Sequence, residues 1–188
     1  MIFSIFVFME KIDLEKLHYP IGYFVFPENF EDAIIEDWIL ELEVFPQKLK
    51  LLVKNLSDEQ LDTPYRPDGW TVRQVIHHVS DSHHNSYMRF KWALTEDRPI
   101  IKAYDEKAWA DLLDTRTGPI EMSLNHLSAI HTKLVYLLKR LSPGDLERTF
   151  IHPESNTETS LKENIGRYVW HGNHHYAHIK NLLIKNNW

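Results

Sequence analysis

The sequence predicts an all-α protein, a four-helix bundle in one domain, and three observations carry that expectation. Four long stretches repeat apolar residues at helical spacing, strand signals are scarce, and no internal repeat, low-complexity tract or heptad run appears. A chain of 188 residues is long enough for one well-packed core and short for two. Short helices are expected in the connections, with room for a small hairpin before the last long helix.

Residues 1–18 read as an N-terminal extension, expected to be partly disordered, and residues 19–188 as the domain. The opening Met1 to Phe8 is apolar but lacks a basic leader and a small-residue cleavage site, and it is far too short to span a bilayer. Met9 is the expected natural start.

The first long helix is expected from Phe30 to Lys54, where Ile34, Ile35, Trp38, Leu42, Phe45, Leu49, Leu52 and Val53 recur on one side. Pro46 lies inside it; lacking an N–H, it should kink or split the helix. Ser57 to Gln60 has the form of a capping box, followed by a loop bearing Pro64, Pro67 and Gly69. Thr71 to Gln74 is a second capping box, opening a helix that reaches about Thr95. A short helix is expected around Asp105 to Leu113, before the breaker Gly118-Pro119. Ile120 to Leu141 is helical again, with Leu124, Leu127, Ile130, Leu134, Leu137, Leu138 and Leu141 facing the core, and Ser142-Pro143-Gly144 ends it. Phe150 to Thr159 reads as the hairpin. Ser160 to Glu163 caps the last helix, which runs to about Lys185.

Eight of the twelve histidines fall in two tight groups on two of these helices: His77, His78, His83 and His84, then His171, His174, His175 and His178. One histidine on a half-polar helix is usually solvated or hydrogen-bonded. Two groups about ninety residues apart point instead to one site in space. His171 and His175 are four residues apart, as are His174 and His178, so each pair projects from one helix face like a two-histidine chelate. His77 or His78 would supply a third imidazole, leaving a coordination position open for water or substrate. The zincin motif His-Glu-x-x-His is absent. With the His171 direction as zero, His175 lies about 40° to one side, His178 about 20° to the other and His174 about 60° away, so His174 suits the pair least. On the earlier helix, Ser82, Asn85 and Arg89 lie within about 40° of His78, a polar stripe beside the apolar arc of Val72, Ile76 and Val79.

Composition excludes other classes. With no cysteine there is no disulfide, thiolate ligand or cysteine nucleophile, so any thiol chemistry needs a thiol from solution. A formal charge of −6 without a long basic run argues against nucleic-acid binding. A cytoplasmic protein, with neither nucleic acid nor membrane as partner, is the expectation.

Several blocks in order resemble the YfiT-like branch of the DinB superfamily: Gly69-Trp-Thr-Val-Arg-Gln-Val-Ile-His-His78, Asp81-Ser-His83, Asn85-Ser-Tyr87, Arg89-Phe-Lys91, Tyr104 to Trp109, and Tyr168-Val-Trp-His171 with His174-His175. Tyr19 to Gly22 and Leu61 to Arg66 resemble it too, so the likeness spans nearly all of residues 19–188. It implies a four-helix bundle, usually homodimeric, that holds one divalent metal, zinc or nickel, through His78, His171 and His175. In the wider superfamily the last ligand is often followed by Arg-Gly-Gln; here Tyr176-Ala-His178 stands there, which fits the YfiT-like branch and leaves the role of His178 open.

Metal-bound imidazoles usually pass their second nitrogen to an acceptor, so Asp81, Asn164 and Tyr168 are candidate supports. Three neutral histidines leave the metal its charge, which acidifies a bound thiol or water. The favoured reading is a thiol S-transferase, with a low-molecular-weight thiol such as bacillithiol attacking a small electrophile. Arg89, Ser82 and Asn85 would then hold the thiol cofactor, and Arg89 and Asp81 would serve the chemistry. The alternative is a hydrolase using metal-bound water; a non-catalytic metal-binding bundle is the third reading. Trp38, Trp92, Trp109 and Trp170 are expected in the core.

Overall fold

The computed structural model describes residues 14–27 and 31–188. The expected start at Met9 and the apolar opening segment lie outside the described residues, as does Phe30. Within the expected extension, residues 14–18 are helical. Four long helices dominate: α1 (Asp32–Val53), α3 (Val72–Thr95), α6 (Ile120–Leu138) and α8 (Leu161–Asn186). Between them come α2 (Asp58–Leu61), α4 (Glu106–Ala110), α5 (Leu113–Thr117), α7 (Pro143–Leu146), and the strands β1 (Thr149–His152) and β2 (Thr157–Ser160).

Both α1 and α3 pack on α6 and on α8, so the first two long helices lie diagonally opposite. The anticipated hairpin is present, pairing Thr149 with Ser160 and His152 with Thr157; Asn156 turns it with a φ of 52°. Its outer edge takes backbone bonds from the segment after α3, Ile101 N–H to Ile151 at 3.1 Å and Ile151 N–H to Pro99 at 2.9 Å. That closes an edge which two strands alone would leave open.

The boundaries differ from expectation at three places. The helix expected around Asp105 to Leu113 is two: Asp105 caps α4 by accepting from the N–H groups of Lys107 and Ala108, and an extended Leu112 starts α5. α6 ends at Leu138, and the following turn runs into the Ser142 capping box. At α8, Ser160 accepts from the Glu163 N–H at 3.2 Å, but Glu163 does not reach back; its carboxylate takes Arg167, one turn on, at 2.8 Å.

Pro46 does not split α1, which is one helix from Asp32 to Val53. The carbonyl of Leu42, four residues earlier, therefore has no helical donor. It accepts instead from His131 Nδ1 on α6, at 2.5 Å.

The core has two apolar ends and a polar middle. One cluster joins Phe45, Leu49 and Val53 of α1 with Val72 to Val79 of α3, Leu124 and Leu127 of α6, and Ile179 to Leu183 of α8. The other joins Ile35 to Leu42, Phe90 and Ala93, Leu134 to Leu138, and Leu161 and Ile165 of the same four helices. On α3, α6 and α8 the residues between the two clusters include His83, His131, and His171 with His175. Imidazoles thus replace hydrocarbon in one layer of the bundle. α1 and α8 approach closely at the second cluster, where a Cβ at Gly166 would collide with the Trp38 indole.

Candidate metal centre

Two capped helices carry the site. Thr71 and Gln74 exchange bonds at 3.2 and 3.0 Å, so α3 starts firmly one turn before His77 and His78. The two histidines then diverge. His77 ties α3 to the start of α6, with Nδ1 2.7 Å from Ser123 Oγ and Nε2 3.2 Å from the Gly118 carbonyl. His78 faces α8, and its Nε2 lies 3.3 Å from Nε2 of His171. His78, His171 and His175 each offer a ring nitrogen within 4.8 Å of the others; so do His174, His175 and His178, which share His175 with the first group.

Hydrogen bonding assigns the tautomers. A carbonyl only accepts, so His131 carries its proton on Nδ1 toward Leu42 and leaves Nε2 as an acceptor. Nδ1 of His83, 2.8 Å away, must donate to it, which makes His83 Nε2 an acceptor in turn. Nδ1 of His171, 3.3 Å from that atom, donates next. The chain ends with the lone pair of His171 Nε2 directed at His78.

A shorter chain fixes His175. His178 Nε2 donates to the His18 carbonyl at 3.1 Å, so its Nδ1 accepts; Nδ1 of His175, at 3.4 Å, is the donor, and Nε2 of His175 keeps a lone pair. Two histidines from α8 thus present Nε2 lone pairs, each held by a histidine relay that ends on a backbone carbonyl, Leu42 for His171 and His18 for His175. His178, stacked on Tyr65 at 4.1 Å, is thereby a support for His175.

All these rings are neutral at pH 7. Burial, followed by repulsion from neighbouring imidazoles, holds His83, His171 and His175 well below the usual histidine range. Burial brings His78, His131 and His174 down to about 4 and His178 to about 3. Neutral imidazole is the form that ligates a metal.

The cluster opens into a cavity of about 630 Å³. Trp70 covers His78 at 4.7 Å, and Trp170 stacks on His174 at 4.6 Å. Arg66, Lys107, Asp68, Glu106 and Asp111 also line the cavity. The expectation that the tryptophans are core holds for Trp38 and Trp92, which pack against the second cluster. Trp170 lines the cavity, while Trp109 is 40% exposed and packs on Tyr104.

The remaining anticipated site residues surround this layer. Arg89 is buried and donates to the Tyr168 hydroxyl at 3.2 Å; it lines an adjoining cleft and is not among the residues lining the histidine cavity. Tyr168 packs edge-on to His83 and against His171. Ser82, also buried, pairs with the hydroxyl of Tyr104. Asn85 bonds the Asp81 carbonyl at 2.9 Å, and Asn164 bonds Ser86 at 3.1 Å. The Asp81 carboxyl has no hydrogen-bond partner among the described residues; burial first, then Asp114, raise it to about 6. It makes no bond to His78. His83 and His131, which link His171 to α1, were not singled out as site residues from the sequence. The signal was present in His131, which replaces an apolar residue in the stripe Leu127, Leu134, Leu138.

Comparison with known proteins places the chain in a family. The family model of the DinB superfamily matches residues 41–179. The chain belongs to the DinB superfamily. A relative from Oceanobacillus iheyensis, named "Putative metal-dependent hydrolase", is 54% identical over 170 residues, covering 90% of this chain and 98% of its own. A Bacillus mycoides relative of the same name is 51% identical over 93% of this chain and 100% of its own. Among solved structures, YfiT from Bacillus subtilis, described as a probable metal-dependent hydrolase with an unusual four-helix bundle topology, matches with a TM-score of 0.90. Its identity is 46%, over 92% of this chain and 99% of that one. TT2238, a four-helix bundle protein, matches with a TM-score of 0.53 at 19% identity, a likeness of fold alone. The DinB-superfamily chain is thus YfiT-like and a four-helix bundle, and no helix among the described residues is long and apolar enough to cross a membrane.

Proposed function

We propose that this protein is a metal-dependent enzyme that activates a low-molecular-weight thiol for attack on a small electrophile, a bacillithiol-type S-transferase. The supporting observation is an all-imidazole cluster that no carboxylate joins among the described residues, opening into a cavity that carries Arg66 and Lys107. The donor set fits a divalent cation: His78, His171 and His175 are neutral and converge, and the tautomers of His171 and His175 are fixed from behind by His83 and His178. Zinc and nickel both suit imidazole. Such a cation, when bound, supplies the Lewis acidity that makes a coordinated thiol or water nucleophilic near neutral pH.

The chain's own groups provide the rest. Trp70, Tyr65 and Trp170 form apolar walls that displace water from the histidines. Arg66 and Lys107 are the cavity's two cations beside the carboxylates of Asp68, Glu106 and Asp111, and an acidic thiol would have to seat its own carboxylate directly on one of them. Arg89 holds Tyr168 by its hydroxyl and so sets the ring beside His171. Ser82 orients Tyr104, and Asn85 braces the α3 backbone, where Asp81 sits. The reading carries with it a cytoplasmic homodimer with neither nucleic-acid nor membrane partner, in keeping with the net charge of −6.

Hydrolysis is the second reading. The relatives' names favour it, and so does Glu106 on the cavity wall, whose carboxyl burial raises against the opposing pull of Lys107, as a general base requires.

The test incubates tag-free protein with bacillithiol and a chloro-nitroarene, beside a His78→Ala control. Conjugation that needs both metal and His78 supports thiol transfer. Stoichiometric metal without conjugation refutes it and moves the search to ester and amide substrates.

A further inference from the structure

A second cavity, of about 360 Å³, lies between α3, α8 and the β1–β2 hairpin, and shares no lining residue with the histidine cavity. Its wall carries Arg89, His152 and Arg167, with Glu154 as the one acidic residue. Four buried side-chain polar atoms among the described residues have no hydrogen-bond partner, and three of them belong to residues of this wall: Arg89 Nε, His152 Nδ1 and Asn164 Oδ1. Native interiors leave few such atoms, so three in the residues around one cavity mark a place where a partner is missing. Arg89 Nε is a donor that an anion can satisfy, whereas Asn164 Oδ1 is an acceptor and calls for a hydroxyl or N–H on the same ligand.

Arg89 carries the argument. It is 8% exposed and permanently charged, yet its hydrogen bond goes to the Tyr168 hydroxyl, its guanidinium lies 6.0 Å from the centre of the Phe150 ring, and it makes no ion pair among the described residues. The same helix shows how this chain closes a buried arginine when no ligand is involved. Arg73, 5% exposed, meets Asp62 at 2.6 Å, Asp58 at 2.8 Å and the Gly118 carbonyl at 3.1 Å. A buried cation without a counter-charge is strongly destabilising. Arg89 has a cavity where Arg73 has carboxylates. Arg167 is only half committed, through its Nη2 to Glu163 at 2.8 Å.

We infer that this cleft is an anion-binding site in which Arg89, seconded by Arg167 and His152, receives the carboxylate or phosphoryl oxygens of a small molecule. The planar guanidinium fork suits two oxygens on one atom. The hairpin contributes hydroxyls to the wall, and the volume admits a ligand of few heavy atoms. Tyr168 forms the partition: its hydroxyl accepts from Arg89, and its ring packs against His171 at 5.5 Å and His83 at 5.1 Å. An anion drawn to Arg89 therefore sits one side chain behind the histidine layer. The inference rests on the pairing of Arg89 and holds whether the histidine site transfers thiols or hydrolyses.

The experiment is calorimetric titration of the protein as purified with L-malate and, separately, inorganic phosphate, on wild type, Arg89→Gln, Arg167→Gln and His78→Ala. Saturable binding is expected in wild type and in His78→Ala, which separates the cleft from any carboxylate held by a metal. Arg89→Gln should weaken it at least tenfold, and Arg167→Gln severalfold. Tighter binding of malate identifies a carboxylate ligand, and tighter binding of phosphate a phosphoryl one. Should Arg89→Gln fail to fold, the Nε–H resonance of Arg89 in wild type, followed by ¹⁵N NMR, must shift on adding the anion. Binding that survives Arg89→Gln or is lost in His78→Ala, or the absence of saturable binding by both probes, overturns the inference.

Discussion

Replacing His131 with phenylalanine cuts the longer histidine chain at its anchor, with His83 standing between it and the nearest proposed ligand, His171. The ring is tolerable in shape, since His131 already stacks on Phe45 at 5.8 Å. Two groups then lose their partners: the Leu42 carbonyl, which Pro46 deprives of a helical donor, and the Nδ1–H of His83. Each unsatisfied buried group costs about 1–3 kcal/mol, so a stability loss of about 2–6 kcal/mol is expected in urea unfolding. Loss of an outer partner typically lowers metal affinity 10–100-fold, equivalent to about 1.4–2.7 kcal/mol, and chelator competition should find a decrease in that range. Pro46→Ala supplies Leu42 with a backbone N–H. Added to His131→Phe, it should restore about 1 kcal/mol of stability without restoring metal affinity, because His83 still lacks its acceptor. Histidine ¹⁵N NMR of the metal-free wild type reads the cause directly: His131, His83 and His171 should all carry the proton on Nδ1. Nε2–H tautomers at His83 and His171, or unchanged metal affinity in His131→Phe, would refute the reasoning.

Three further expectations concern pH and the acidic residues. In the unfolded chain histidines titrate near 6.5, whereas burial holds the seven imidazoles of the layer and its supports lower. The unfolded state therefore takes up protons first as pH falls below 6.5, each such histidine costing about 1 kcal/mol per pH unit. Seven together approach the whole stability of a small domain, so the metal-free protein should unfold between about pH 6 and 5 by circular dichroism; a midpoint below pH 4 would be inconsistent with buried neutral rings. Asp81 has the opposite sign: its folded carboxyl, raised to about 6, disfavours the charged form. Asp81→Asn should accordingly stabilise the protein by roughly 1–2 kcal/mol at pH 7 after allowance for partial exposure, with the gain vanishing below about pH 4. Glu106→Gln should leave thiol conjugation within about threefold of wild type, and a hundredfold loss would instead identify a general base as the hydrolytic reading requires.

The long elements were legible because each shows its own period and caps: Thr71 and Gln74 mark the start of α3, and Ser160 that of α8. The pairing of His78 with His171 and His175 was legible only in combination, spacing giving the chelate and the family likeness choosing among neighbours. Pro46 shows the limit. Its missing donor is local and predicts a break, while the remedy comes from His131, 89 residues further along the chain than Leu42. No local pattern announces such a partner. The placement of Arg89 was hidden for a related reason: a helical wheel gives its direction relative to His78, but Tyr168, from another helix, forms the wall between the two cavities.

The most direct test is the metal content of tag-free protein, by inductively coupled plasma mass spectrometry, in wild type and in the alanine variants of His78, His171, His175 and His174. The account predicts about one divalent metal per chain in wild type and in His174→Ala, and loss of it in each of the other three. Metal retained by His78→Ala but lost by His174→Ala would move the centre to the overlapping cluster on α8 and contradict the account.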